Sequence, residues 1–249
     1  PQDYLKLVQA DGVQFSIEHQ VYSDKCYDGV ILKLSSDGLV DWYRLIEFNH
    51  SKSEMMAKIP MDVFEFNDAA VLSDGSAVVV GNLRTSVAID GTTFVADSEN
   101  WDGDTQNFSG NMMCLHFDSE GKLKKGILST GDVNPAKCGV KATRISVNGD
   151  RAYISGNQKG DGVKKILFGD YELVAPSVQS LFCLCLNISD FSIEWANQYE
   201  PMQTEKALKP IVYADAIASD DGSVYLGGRL VGALSVGENS SIETTAGLQ

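Results

Sequence analysis

The chain has 249 residues, 43% of them hydrophobic, with 34 acidic against 20 basic side chains and a formal net charge of −14. That length and apolar content support a substantial core, in one large domain or two smaller ones, while the acidic balance opposes binding to nucleic-acid phosphates or anionic membrane surfaces. No apolar run reaches the roughly 18 residues of a membrane-spanning helix, so membrane insertion is not expected.

In chain order, the first recognisable element is VQADGVQF at residues 8–15, where Asp-Gly separates two short alternating runs. Asp-Gly or Asn-Gly between apolar runs is the strongest short-range hairpin signal in a sequence. GVILKLSSDGLVDW follows at 29–42: an apolar strand, a polar turn with Gly38, and a second strand carrying Trp42. HSKSEMMAKIPM at 50–61 allows one helical turn before Pro60, with Met55, Met56 and Met61 read as packing. DAAVLSDGSAVVVGN at 68–82 is another hairpin, and VAIDGTTF at 87–94 repeats the N-terminal signal, Asp90-Gly91 standing over Asp11-Gly12.

The same three modules then recur. NMMCLHFDSEGKLKK at 111–125 and SLFCLCLNISDFSIEW at 180–195 match 29–42, with Leu34, Phe117 and Leu186 in correspondence. Histidine 116 aligns with Lys33 and Cys185. TRISVNGDRAYISGN at 143–157 and DAIASDDGSVYLGGR at 215–229 match 68–82 and place Gly81, Gly156 and Gly228 in register. KILFGDYEL at 165–173 and ALSVGENSSIE at 233–243 match 87–94. Self-similarity of this kind marks a repeat architecture. Runs such as 112–117 are apolar on both faces, as strands in stacked sheets require.

The order of an apolar strand ending in Lys-Leu, a turn with Gly, a strand with Trp and an Asp-Gly hairpin closing on Gly resembles the bacterial seven-bladed β-propeller repeat family. Val30 to Leu34, Gly38, Trp42, Asp74, Gly75 and Gly81 carry the resemblance in the first copy. In the third it is carried by Trp195, Ala216, Asp221, Gly222, Val224, Tyr225 and Gly228. The second departs from it, with Lys125 in the Trp position and Asn148-Gly149 for Asp-Gly. The resemblance implies a bacterial extracellular or cell-surface location and a fold, not a reaction.

The expectation is therefore an all-β, β-propeller-like chain, with three four-stranded blade repeats at 27–94, 110–173 and 180–245 and the end of a preceding repeat at 1–26. Residues 1–249 form one incomplete propeller, which remaining blades or a second copy of the chain would close, since rings of about 4 to 8 blades are usual. The chain begins at Pro1 without a charged and apolar leader, so any signal peptide is expected to lie outside this sequence.

Chemistry-bearing motifs are sparse. Five cysteines at irregular spacing form no disulfide framework and include no CxxC; Cys114, Cys183 and Cys185 lie in apolar runs and are expected to be buried thiols. His19, His50 and His116 form no HxH or HExxH pair, and no GxSxG, GxGxxG or P-loop pattern occurs. The Asp-Gly turns recur as scaffold. What does not recur is DSENWDGDTQNFSG at 97–110, which makes the stretch from Gly91 to Asp118 longer than its counterpart from Gly169 to Asn187. Trp101 and Phe108 would offer a stacking platform to a sugar ring or peptide. Asp102, Asp104 and Asn107 offer hard oxygen ligands for calcium, although the EF-hand pattern is absent. No cofactor, catalytic residue or metal site is assigned. The expected function is non-enzymatic binding of a protein or glycan at the cell surface; the alternatives are a carbohydrate-active hydrolase or lyase using paired carboxylates and a structural spacer in a larger surface protein.

Overall fold

The computed structural model describes residues 3–8, 12, 14–19, 29–46, 64–84, 86–96, 110–131, 139–160, 165–174, 178–205, 207–220, 222–235 and 240–244. Among them there is no helix, and every strand pairing is antiparallel. β1 (Asp3–Val8) pairs with β2 (Gln14–His19), and β3 (Gly29–Leu34) with β4 (Val40–Ile46). Next come β5 (Phe64–Val71) and β6 (Ala77–Leu83), the small hairpin β7 (Ser86–Ile89) and β8 (Thr92–Val95), and then β9 (Asn111–Phe117) and β10 (Leu123–Leu128). After the short β11 (Thr130–Gly131) the pattern repeats as β12 (Gly139–Asn148), β13 (Arg151–Lys159), β14 (Lys165–Phe168), β15 (Tyr171–Val174), β16 (Ser180–Asn187) and β17 (Ile193–Tyr199). It begins once more with β18 (Pro201–Met202), β19 (Ile211–Asp220), β20 (Ser223–Val231), β21 (Ala233–Ser235) and β22 (Ser241–Glu243).

Two four-stranded sheets result, ordered β5-β6-β9-β10 and β12-β13-β16-β17. Each is offset from the repeats as read in sequence, because β5–β6 joins β9–β10 across the linker hairpin β7–β8 and does not join β3–β4. A sequence repeat has no privileged starting point; hydrogen bonding chooses one. β3–β4 and β19–β20 each form a separate two-stranded sheet, corresponding in sequence to the last two and the first two strands of such a sheet. No ring or barrel closes among the described residues.

Repeat-equivalent irregularities explain the glycine register. β5, β12 and β19 each carry a bulge, at Asn67, Thr143 and Asp215, next to the residue paired with Gly81, Gly156 and Gly228. A Cβ on any of these glycines would lie well inside contact distance of the carbonyl oxygen of Glu65, Lys141 or Tyr213 respectively. Close backbone approach, not turn geometry, therefore requires glycine here.

The core lies between sheets. Met113, Leu115 and Phe117 of β9 face Ile46, Val87, Ile89 and Phe94. Met112 and Cys114 face Phe182, Leu184 and Leu186 of β16, on the second sheet, and Leu181 packs with Val212 and Ala214 of β19. Both faces of β9 are thus covered, and all seven of its residues are buried. That is the physical reason Met112 to Leu115 run apolar without alternation.

Polar side chains bind the sheets at the same point each time. Asn67 Nδ2 donates to the Ala142 carbonyl at 2.8 Å, and the Ala142 amide donates to Asn82 Oδ1 at 3.1 Å. One sheet further on, Thr143 Oγ1 donates to the Ala214 carbonyl at 2.9 Å, and the Ala214 amide donates to Asn157 Oδ1 at 3.4 Å. On the outer edges of β12 and β19 the peptide groups of Ala142 and Ala214 are thereby satisfied by the preceding sheet, as buried backbone groups require.

Candidate functional site

Trp101, Asp102, Asp104 and Phe108 lie outside the described residues. Their flanks, Ala96 and Gly110, are described: Ala96 is buried in the core around β9, and Gly110 bridges to Gly139. These flanks stand beside Leu83 and Asn111, at the end of the sheet opposite the turns at 72–76 and 118–122.

The turn end presents two clefts that occupy equivalent places between neighbouring sheets. The first, of about 470 Å³, is lined by Asp74, Ser76, His116, Lys124 and Lys125 of one sheet and by Asp150 and Ser189 of the next. In the second, of about 390 Å³, Arg151, Tyr153, Asn187 and Glu194 face Asp220 and Gly222. Tight turns position these groups. Ser76 is held because its amide and hydroxyl both donate to Asp74 Oδ1, at 2.9 and 2.5 Å. Lys125 reaches across to donate to the Ser189 carbonyl at 3.0 Å.

His116 is 4% exposed and its Nε2 lies 3.1 Å from Ser76 Oγ. The direction of this chain decides its chemistry. Asp74 is held below the usual carboxylate range, first by the Ser76 hydroxyl and then by the Ser76 amide, so it accepts and the single Ser76 hydroxyl proton points to it. His116 must then donate through Nε2–H. A nucleophilic serine needs the opposite polarity, with imidazole accepting the hydroxyl proton. Burial, reinforced by Lys124, keeps His116 below its ordinary value, so the neutral ring prevails near neutrality. Stacking on Phe191 at 5.8 Å between ring centroids completes its packing. The arrangement orders the cleft wall and does not activate a nucleophile.

In the second cleft Glu194 accepts from Arg151 Nε at 2.8 Å. Cys185 Sγ lies 3.7 Å from the same carboxylate oxygen. Burial pushes the Cys185 thiol up to about 11 and Cys183 up to about 12, while Cys114 is raised further still; all three are buried free thiols. They are inert packing groups, because the thiolate is the reactive form.

Among the described residues no group of three or more His, Cys, Asp or Glu side chains could hold a metal ion. Sequence reasoning read the turn at Asp74 as scaffold and found no partner motif for His116. It did not see that these turns form the rims of clefts, since the neighbouring wall comes from a hairpin some 70 residues away, as Lys33 to Ser119 and Asn67 to Ala142 illustrate with separations of 86 and 75 residues. No family model matches the chain, and no curated protein is significantly similar to it.

Proposed function

We propose that the chain is part of a β-propeller and acts as a non-enzymatic binding scaffold for a protein or glycan partner at the bacterial cell surface. One observation carries the reading: the two clefts share a frame and differ in lining. The first offers ammonium groups beside Asp150, the second a guanidinium–carboxylate pair beside Asn187 and Asp220. Constant backbone with variable rim chemistry is how rigid repeat scaffolds present recognition surfaces. The resemblance to the seven-bladed repeat family and the meander order of the two sheets support the blade assignment. The net charge of −14 directs the partner away from nucleic acid.

Within this reading the non-repeated loop with Trp101, Asp102, Asp104 and Phe108 is the second contact region. A glycan array probed with the wild type, Trp101→Ala and Lys124→Glu tests it. Reduced signal in either variant is expected. Equal signal from all three removes both regions, and release of new reducing ends from an array glycan replaces binding with the hydrolase reading.

A further inference from the structure

We infer that the first cleft binds a carboxylate-bearing sugar of an acidic glycan, with Lys124 holding the sugar carboxylate and Asp74 and Asp150 its hydroxyl groups. This rests on the binding-scaffold reading above and names the ligand of one of its sites. The cleft lies between the two complete four-stranded sheets, so its walls do not depend on where the sequence begins or ends.

The repeat supplies its own comparison. β4, β10 and β17 occupy equivalent places in it, and each carries a bulge of one extra residue just after the turn: Asp41, Lys124 and Glu194. A bulge re-aims the side chain it inserts. In two of the three, that residue is a carboxylate neutralised from a neighbouring strand: Asp41 lies 4.0 Å from Lys33 Nζ, and Glu194 lies 2.8 Å from Arg151 Nε. In β10 the sign is reversed. Lys124 stands in the carboxylate's place, while His116 stands where Lys33 is and Ser76 where Arg151 is, so the reversal brings no counter-ion with it. Lys124 is exposed and makes no hydrogen bond or ion pair among the described residues. Its positive charge is felt at both Asp74 and His116, which places the ammonium over the cleft.

The remaining lining decides the class of ligand. Lys125 Nζ is engaged by the Ser189 carbonyl, so Lys124 is the free ammonium of the pair. Asp74 Oδ1 is taken by the Ser76 amide and hydroxyl, which leaves Oδ2 open, and the Asp150 carboxylate accepts no hydrogen bond among the described residues. Two carboxylates beside one free ammonium repel a bare anion such as sulfate, and a neutral sugar leaves the ammonium unused. A uronate satisfies all three groups: its ring hydroxyls donate to the two carboxylates, and its own carboxylate accepts a charge-assisted hydrogen bond from Lys124. The volume of about 470 Å³ lies within the range of small-ligand sites. In the second cleft Arg151 and Glu194 neutralise each other, so it offers no equivalent free ammonium.

Calorimetry of the intact chain with trigalacturonate, galactotriose and inorganic sulfate tests this, on the wild type, Lys124→Glu and Lys124→Arg. Trigalacturonate is expected to bind more tightly than galactotriose and to lose roughly tenfold or more in affinity in Lys124→Glu, as removal of a charged hydrogen bond implies. Lys124→Arg, which keeps the charge, should bind more tightly than Lys124→Glu. Lys124 lies outside the core, and thermal melting of both variants checks that the fold is kept. Amide shifts on titration should centre on Ser76, Lys124, Asp150 and Ser189. Equal affinity for the two sugars, an unchanged affinity in Lys124→Glu, or displacement of trigalacturonate by an equal concentration of sulfate each overturns the inference. Shifts confined to the surroundings of Ala96 and Gly110 overturn it while leaving the scaffold reading in place, because the second contact region lies there. Binding of neither sugar also overturns it, and the glycan array then decides the scaffold reading on its own.

Discussion

At Gly156 one added methyl group would meet the Lys141 carbonyl oxygen and the Phe182 ring, and neither can retreat, since one is backbone and the other is fully buried. Gly156→Ala is expected to cost about 3 kcal/mol, the upper range for overpacking, read as a lower urea midpoint. Gly149 is a different case: its φ is 57° and nothing stands within reach of a Cβ. There alanine costs only the left-handed strain, about 1–2 kcal/mol. The buried His116 gives a pH signature. Its folded value is held below 6.5, so just below that pH the unfolded chain binds a proton that the folded chain does not. Stability is full above pH 6.5 and declines as pH falls toward the folded value. His116→Gln is expected to flatten that part of the curve in denaturation measured from pH 7.5 to 5. Asp74, exposed and depressed by Ser76, acts only below its ordinary 3.8.

At the scale of elements, the turns after β9 and β16 solve one packing problem in two ways. In the first, Trp42 rests against Gly121, whose φ is 77°. In the second, Phe191 occupies the corresponding left-handed position at φ 66° and its ring lies over His116, while Lys125 stands where Trp would be. The aromatic group has moved from the strand of one sheet to the turn of the next. Removing Phe191 forfeits about 3–5 kcal/mol of buried aromatic packing against about 1–2 kcal/mol of relieved strain. Phe191→Gly should therefore lower stability by about 2 kcal/mol, and adding Lys125→Trp should restore part of it, as a double-mutant cycle by thermal melting would show. Hairpins, turn glycines and the doubly buried strands were legible in the sequence because each signal is confined to a dozen adjacent residues. The partition into sheets was not, since nothing local says that β5–β6 bonds to β9–β10 across an inserted hairpin and not to β3–β4. Nor were Asn82 and Asn157 legible as clamps: their partners lie 60 and 57 residues on. For the candidate site, Trp101 stands out in the sequence because it breaks the repeat, whereas the clefts were missed because they are made by it.

Among the described residues the four-stranded sheets pack each on the next, so stability should be distributed in nearest-neighbour fashion, as in repeat proteins. Asn157 is a place to test this, because it lies on the second sheet and its bonds reach the third. Its amide donates to the Val212 carbonyl at 2.7 Å while its carbonyl accepts from the Ala214 amide. Both backbone groups lie on the edge of β19 turned away from β20, and both residues are buried. Asn157→Ala leaves them without these side-chain partners, at about 1–3 kcal/mol for an unsatisfied buried group. The loss should stay local. Hydrogen exchange is expected to quicken throughout β19 and β20 while the amides of β6 and β9, two interfaces away and covered on both faces, keep their wild-type protection. Uniform acceleration across all sheets would instead mean that the chain unfolds as one cooperative unit, with sheet-to-sheet coupling strong enough to carry a defect at Ala214 back to Val80.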